Sequence, residues 1–113
     1  MLNVEKIGDV LVISFNQIDK LNVVVAQSIK SEANALVSEP NIKVILNLGA
    51  LKYIDSSGFG VLLSILRICK SNNSQLRLCN INSEIMEVVK LLQLQTVFDI
   101  KGSVNECLAS LAN

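Results

Sequence analysis

The chain has 113 residues, half of them hydrophobic, with ten basic and ten acidic side chains and no histidine. That length supports one domain, 1–113, around an aliphatic core. Zero net charge without a basic run excludes a protein that tracks nucleic-acid phosphates. The missing histidine excludes Ser-His-Asp triads, Cys-His pairs and His-bearing metal sites.

The N-terminus, MLNVEKIGDV, lacks the charged-then-apolar order of a signal peptide. No apolar run reaches the ~18 residues of a membrane span, since VLLSILRI is cut off by Arg67 and Lys70. A soluble, cytoplasmic protein without membrane insertion is expected. Cys69, Cys79 and Cys107 are odd in number and widely spaced, with no C-x-x-C. They read as small buried hydrophobes in a reducing compartment. No metal and no cofactor are expected.

Leu2–Lys6 and Val10–Phe15 read as two strands joined by a tight turn at Gly8-Asp9. Asn16–Leu21 is polar and irregular. Asn22 is placed to cap a helix running to about Val37, with Val25, Ile29, Ala33 and Leu36 on one face and Pro40 beyond its end. Lys43–Leu48 is nearly continuous in apolar residues, as in a parallel strand covered on both faces. A helix follows Ser57 and runs to about Lys70; Ser71–Ser74 is a loop, and Gln75–Cys79 alternates as a strand. Ile85, Val88, Val89 and Leu92 are spaced for a helix from Glu84 to about Leu92. Val97–Ile100 reads as a strand, and Ser103 with Glu106 forms a capping-box pattern opening a last helix with Cys107, Leu108 and Leu111 inward. The order β-β-α-β-α-β-α-β-α predicts an α/β fold: a mixed, mostly parallel sheet packed with about four helices.

The strand-to-helix turn KYIDSSGFGV concentrates the chemistry. Such turns lie at the carboxyl ends of parallel strands, where sites gather. Asp55, Ser56 and Ser57 each suit a helix cap, but one cap needs one residue. Gly58 and Gly60 cost roughly 1 kcal/mol each in a helix interior relative to Ala; they leave room for a close approach, either of the sheet or of a ligand. A free phosphate fits poorly, because no Gly-x-x-x-x-Gly-Lys is present and Asp55 would repel an anion. A phosphate attached to a serine fits better: it adds roughly 1.5–2 negative charges at a surface while leaving the core alone. Phe59 is either a core residue or a contact at that surface. No base is available to make either serine a nucleophile.

The run I-D-S-S-G-F-G-V-L-L resembles the signature of STAS domains, named for sulfate transporters and anti-sigma-factor antagonists, and the likeness extends over essentially the whole chain. It is most similar to stand-alone bacterial antagonists. That resemblance implies a non-enzymatic partner switch. Ser57, the second serine of the motif, would be phosphorylated by an anti-sigma factor that is itself a serine kinase, with Ser56 the second choice as acceptor. The unphosphorylated form would bind that kinase and free the sigma factor, the phosphorylated form would let go, and a PP2C-type phosphatase would reset the switch. Asp55, Ser56, Gly58, Phe59, Gly60 and, in the preceding loop, Asp19 would surround the phosphosite and contact the partner. Two features depart from the family: Asn47-Leu48 stands where Asp-Leu is usual, and the loop NQIDKLN lacks Gly-x-Leu-Asp. Alternatives are a constitutive STAS-type adaptor in a lipid-transport or signalling assembly and a nucleotide-binding protein; monomer and weak dimer are both open.

Overall fold

Alternating apolar side chains turn residues 2–15 into a hairpin and place them at one side of a mixed sheet. The structure, a computed structural model, describes residues 1–112. Strands β1 (Leu2–Ile7) and β2 (Val10–Phe15) pair antiparallel around Gly8, whose φ of 62° supplies the left-handed turn residue. After β2 the chain forms a two-residue strand, β3 (Lys20–Leu21), and helix α1 (Val23–Leu36). Strand β4 (Lys43–Asn47) leads to a second two-residue strand, β5 (Tyr53–Ile54), and helix α2 (Ser56–Ser71). Strand β6 (Gln75–Cys79), helix α3 (Ser83–Leu91), a 3-10 turn at Leu94–Thr96, strand β7 (Ile100–Lys101) and helix α4 (Val104–Leu111) complete the described chain.

The main sheet has the order β1-β2-β4-β6-β7, with every pair after the hairpin parallel. This agrees with the expected mixed, mostly parallel α/β architecture and its four helices. Strand β4 is buried on both faces, which explains its unbroken apolar run. Val44 and Leu46 point into the larger core, shared with Ile29 and Ala33 of α1, Phe59, Leu62 and Ile65 of α2, and Ile85 and Val89 of α3. Ile45 points the other way and meets Val10, Val12, Cys79, Cys107 and Leu111 beneath α4. Arg77 fastens that second layer: its Nε donates to Ser110 Oγ on α4 at 3.1 Å and pairs with Asp99.

One expectation about the C-terminal third needs correction. The strand expected at Val97–Ile100 is displaced to Ile100–Lys101. The N–H groups of Val97 and Phe98 both donate to the Leu94 carbonyl, closing a turn that swings Phe98 into the core. The apolar character of V-F-D-I therefore reflects one Phe turned into the core, not strand pleating. On α3, Ile85 and Val89 are buried, but Val88 and Leu92 are exposed.

All three cysteines are free and fully buried, as their spacing implies. Burial pushes the Cys69 thiol up to about 11 and Cys79 to about 12. The unfolded chain loses these protons near the ordinary thiol value while the folded chain keeps them, so ionisation favours the unfolded state. Stability conferred by the neutral thiols is thus complete below pH 9 and falls as pH rises through 9 to 11. Urea unfolding across that window is expected to show a shallower decline for Cys69→Ala than for the parent chain; identical slopes would contradict the burial argument.

Candidate functional site

The two short strands build the site. Strands β3 and β5 pair parallel, Lys20 with Tyr53 and Leu21 with Ile54, which places the N-termini of α1 and α2 side by side. The backbone zips them further: Lys52 and Tyr53 N–H groups donate to the Asp19 carbonyl, and Asp55 N–H donates to the Leu21 carbonyl at 3.2 Å. Two-residue strands carry too little periodicity to be seen in the sequence, so residues expected to be irregular prove to be the scaffold of the site.

Asp55 is the N-cap of α2. One carboxylate oxygen accepts from Gly58 N–H at 2.9 Å, and the other accepts from Val23 N–H, the first residue of α1, at 3.1 Å. Asn22 separately caps α1 through Val24 N–H at 3.1 Å. A single half-buried side chain therefore satisfies orphan donors on two helices.

The residues after Asp55 divide by direction. Ser56 is exposed and Ser57 half-buried in the first turn of α2. Gly58 and Phe59 face inward. A Cβ on Gly58 would overlap the Leu21 carbonyl oxygen and come within 2.7 Å of Ile54 Cγ2, so glycine is required for α2 to lie against β3. Phe59 is 6% exposed and continues into an apolar stripe with Leu62, Ile65 and Cys69. Helical geometry turns Gly58 and Phe59 toward the core beneath the serines, so of the two readings of Phe59 the packing matches the core one. Gly60 faces outward, with no atom within 4 Å of where a Cβ would stand. Asp19 is exposed in the loop before β3, joined to the motif strand through its carbonyl.

Ser57 and Gly60 border a groove of about 280 Å³ between α2 and α1, whose other walls are Ala26, Gln27, Lys30 and Val61. On the first turn of α1, Val23 and Val24 are 69% and 84% exposed, and Tyr53 on β5 is 53% exposed. Sequence reasoning missed these apolar surface residues. The signal was present in N-V-V-V: three consecutive Val behind a helix cap cannot all turn inward. At Asn47, Oδ1 accepts from Gly49 N–H and from Asn80 Nδ2, each at 3.0 Å, which ties the ends of β4 and β6 together.

With fold and site in view, the chain belongs to the STAS domain family, whose model matches residues 1–107. It is 26% identical over 102 residues to a Bordetella bronchiseptica protein named "Putative anti-sigma factor antagonist BtrV", covering 90% of this chain and 86% of that one. Its fold matches an anti-sigma-factor antagonist (STAS) domain protein from Planctomyces limnophilus with TM-score 0.91 at 22% identity, over 99% of this chain and 98% of the other. It also matches the Bacillus cell fate determinant SpoIIAA in its phosphorylated form, with TM-score 0.69 at 17% identity, over 99% and 100% of the two chains.

Two substitution pairs test the geometry by urea unfolding. Asp55→Ala removes both acceptors and is expected to cost about 1–2 kcal/mol. Asp55→Asn offers one acceptor oxygen and should fall between it and the parent; equal stability of all three would refute the double cap. Gly60→Ala should stabilise by about 0.5–1 kcal/mol, because the helix gains and nothing is displaced. Gly58→Ala should destabilise by about 1–3 kcal/mol through overpacking against Leu21. Changes of the same sign at both glycines would sink the assignment of their faces.

Proposed function

We propose that this chain is an anti-sigma factor antagonist that binds an anti-sigma factor through the surface around Ser56, Ser57 and Asp55, and that phosphorylation of Ser57 switches the binding off. The observation that carries this reading is the division of the motif. Ser57 stands at the edge of a surface groove, while Asp55, Gly58 and Phe59 beneath it hold the fold. A phosphate of roughly 1.5–2 negative charges on Ser57 changes the docking surface without entering the core. The name of the Bordetella bronchiseptica relative supports the antagonist role, and the phosphorylated form of the SpoIIAA neighbour supports phosphorylation.

In this reading the partner is itself a serine kinase. The unphosphorylated chain occupies it and so frees a sigma factor; transfer of phosphate to Ser57 ends the complex, and a PP2C-type phosphatase restores binding. The chain acts as ligand and substrate, not as catalyst. Exposed Val23, Val24 and Tyr53 flank Asp55 and supply apolar contact area to the partner. A charged phosphate there must be desolvated for the partner to close, and that penalty ends the binding.

Calorimetric titration of the kinase, taken from the chain's own genome, with Ser57→Ala and Ser57→Asp variants tests the switch. Ser57→Ala should bind as the parent does, and Ser57→Asp at least roughly tenfold more weakly. Equal affinities, with no phosphate found on the native protein by peptide mass mapping, would refute the switch and leave a constitutive adaptor. Phosphate mapped to Ser56 would keep the mechanism and move the residue.

A further inference from the structure

We propose that Lys30, assisted by Gln27, receives the phosphate carried by Ser57, so that the modified side chain lies in the α1–α2 groove as a plug and does not project into solvent. This rests on Ser57 being the phosphosite. The groove, about 280 Å³, has the makeup of an anion seat. Its walls are small where bulk would intrude, at Ala26 and Gly60, and bear donors where an anion would sit, at Lys30 and Gln27. Gly60 is the informative residue. Packing does not require it, since nothing lies within 4 Å of its missing Cβ, and glycine within a helix is unfavourable by about 1 kcal/mol. Its lack of a side chain keeps the space beside Ser57 open, one helical turn along the same face.

Lys30 is the one charged residue lining the groove. Among the described residues it has no ion-pair partner and no side-chain hydrogen bond, and neither does Gln27. The positions one helical turn from Lys30 on α1 are Ala26, Gln27, Ala33 and Asn34, so no carboxylate on its own helix competes for it. Helix α2 itself carries no acid, and both oxygens of its Asp55 cap are already held by Gly58 and Val23 N–H groups. An ammonium on a flexible stem is a suitable partner for a phosphate three to four bonds out from a neighbouring helix. A seated phosphate fills the groove and is partly neutralised. It would exclude a partner side chain by occupying its place as well as by charge.

The test places phosphoserine at position 57 by co-translational incorporation, independent of any kinase, and follows its second ionisation by 31P NMR. In the otherwise unchanged chain, Lys30 holds that ionisation low. Lys30→Met should raise it by about 0.3–0.7 of a pH unit, the shift an exposed ion pair gives, and Lys30→Arg should retain most of the depression. Lys52→Met, which removes an exposed lysine near the motif but outside the groove, should leave the curve in place. No change with Lys30→Met overturns the proposal, as do equal shifts from Lys30→Met and Lys52→Met, which would mark a general field and not a seat. Because the phosphate is installed directly, this outcome is separate from whether a kinase modifies Ser57.

Discussion

The Asp55 carboxylate is the interaction on which the site depends. Two helices that begin side by side present their free N–H groups to one another, and each group left unsatisfied on burial would cost about 1–3 kcal/mol. One carboxylate resolves part of this for both, accepting from Gly58 on α2 and Val23 on α1. Serine or asparagine could serve either helix alone. Only a carboxylate offers two strong acceptor oxygens in a short side chain, and its negative charge is favoured at the positive end of both helix dipoles. The pairing of Leu21 with Ile54 sets the spacing that makes this reach possible, and Gly58 lets α2 come close enough.

The motif then separates two duties that could interfere. Along about two turns of α2, direction alternates: Ser56 and Ser57 outward, Gly58 and Phe59 inward, Gly60 outward, Val61 and Leu62 inward. Outward residues are small or hydroxylated and make little contribution to packing. Inward residues are held to the core or to the Leu21 carbonyl. Charge added on the outward set meets solvent and a groove, so under the proposed function it would alter recognition at little cost to stability. The same charge two positions later, at Phe59, would be buried and disruptive.

Much of this was legible in the residues. Unbroken apolarity in Lys43–Leu48 announced a doubly covered strand, and Asn22 and Ser103 announced helix starts that their side chains do cap. Failures arose where local pattern and tertiary contact diverge. Lys20–Leu21 and Tyr53–Ile54 are strands only because they find each other across 33 residues of sequence. Val97 and Phe98 are β-prone residues and read as the start of a strand, yet a turn onto Leu94 claims their N–H groups. Phe59 was ambiguous at the motif because a cap and a core share the same first turn. In the structure Phe59 packs with Leu62 and Ile65 in the core. Lys30 gave no signal, since a lone exposed lysine acquires meaning only when another helix brings a serine beside it.

Asn47 shows which departures from the family pattern matter physically. Its Oδ1 accepts from Gly49 N–H and Asn80 Nδ2, two bonds that an aspartate in the same place could also accept. The change therefore leaves the β4–β6 junction intact, and it lies at a different turn from the Asp55 cap. Residues that hold the motif in shape have little freedom: Asp55 serves two donors, Gly58 abuts a carbonyl and Phe59 fills the core. Freedom is concentrated at Val23, Val24, Gln27, Lys30 and Tyr53, exposed side chains without a hydrogen bond or ion pair among the described residues. Substituting them costs the fold little, as usual for surface positions within about 0.5 kcal/mol. Under the proposed function, discrimination between partners would be written into the α1 face and the β5 edge without altering the scaffold that presents the serines.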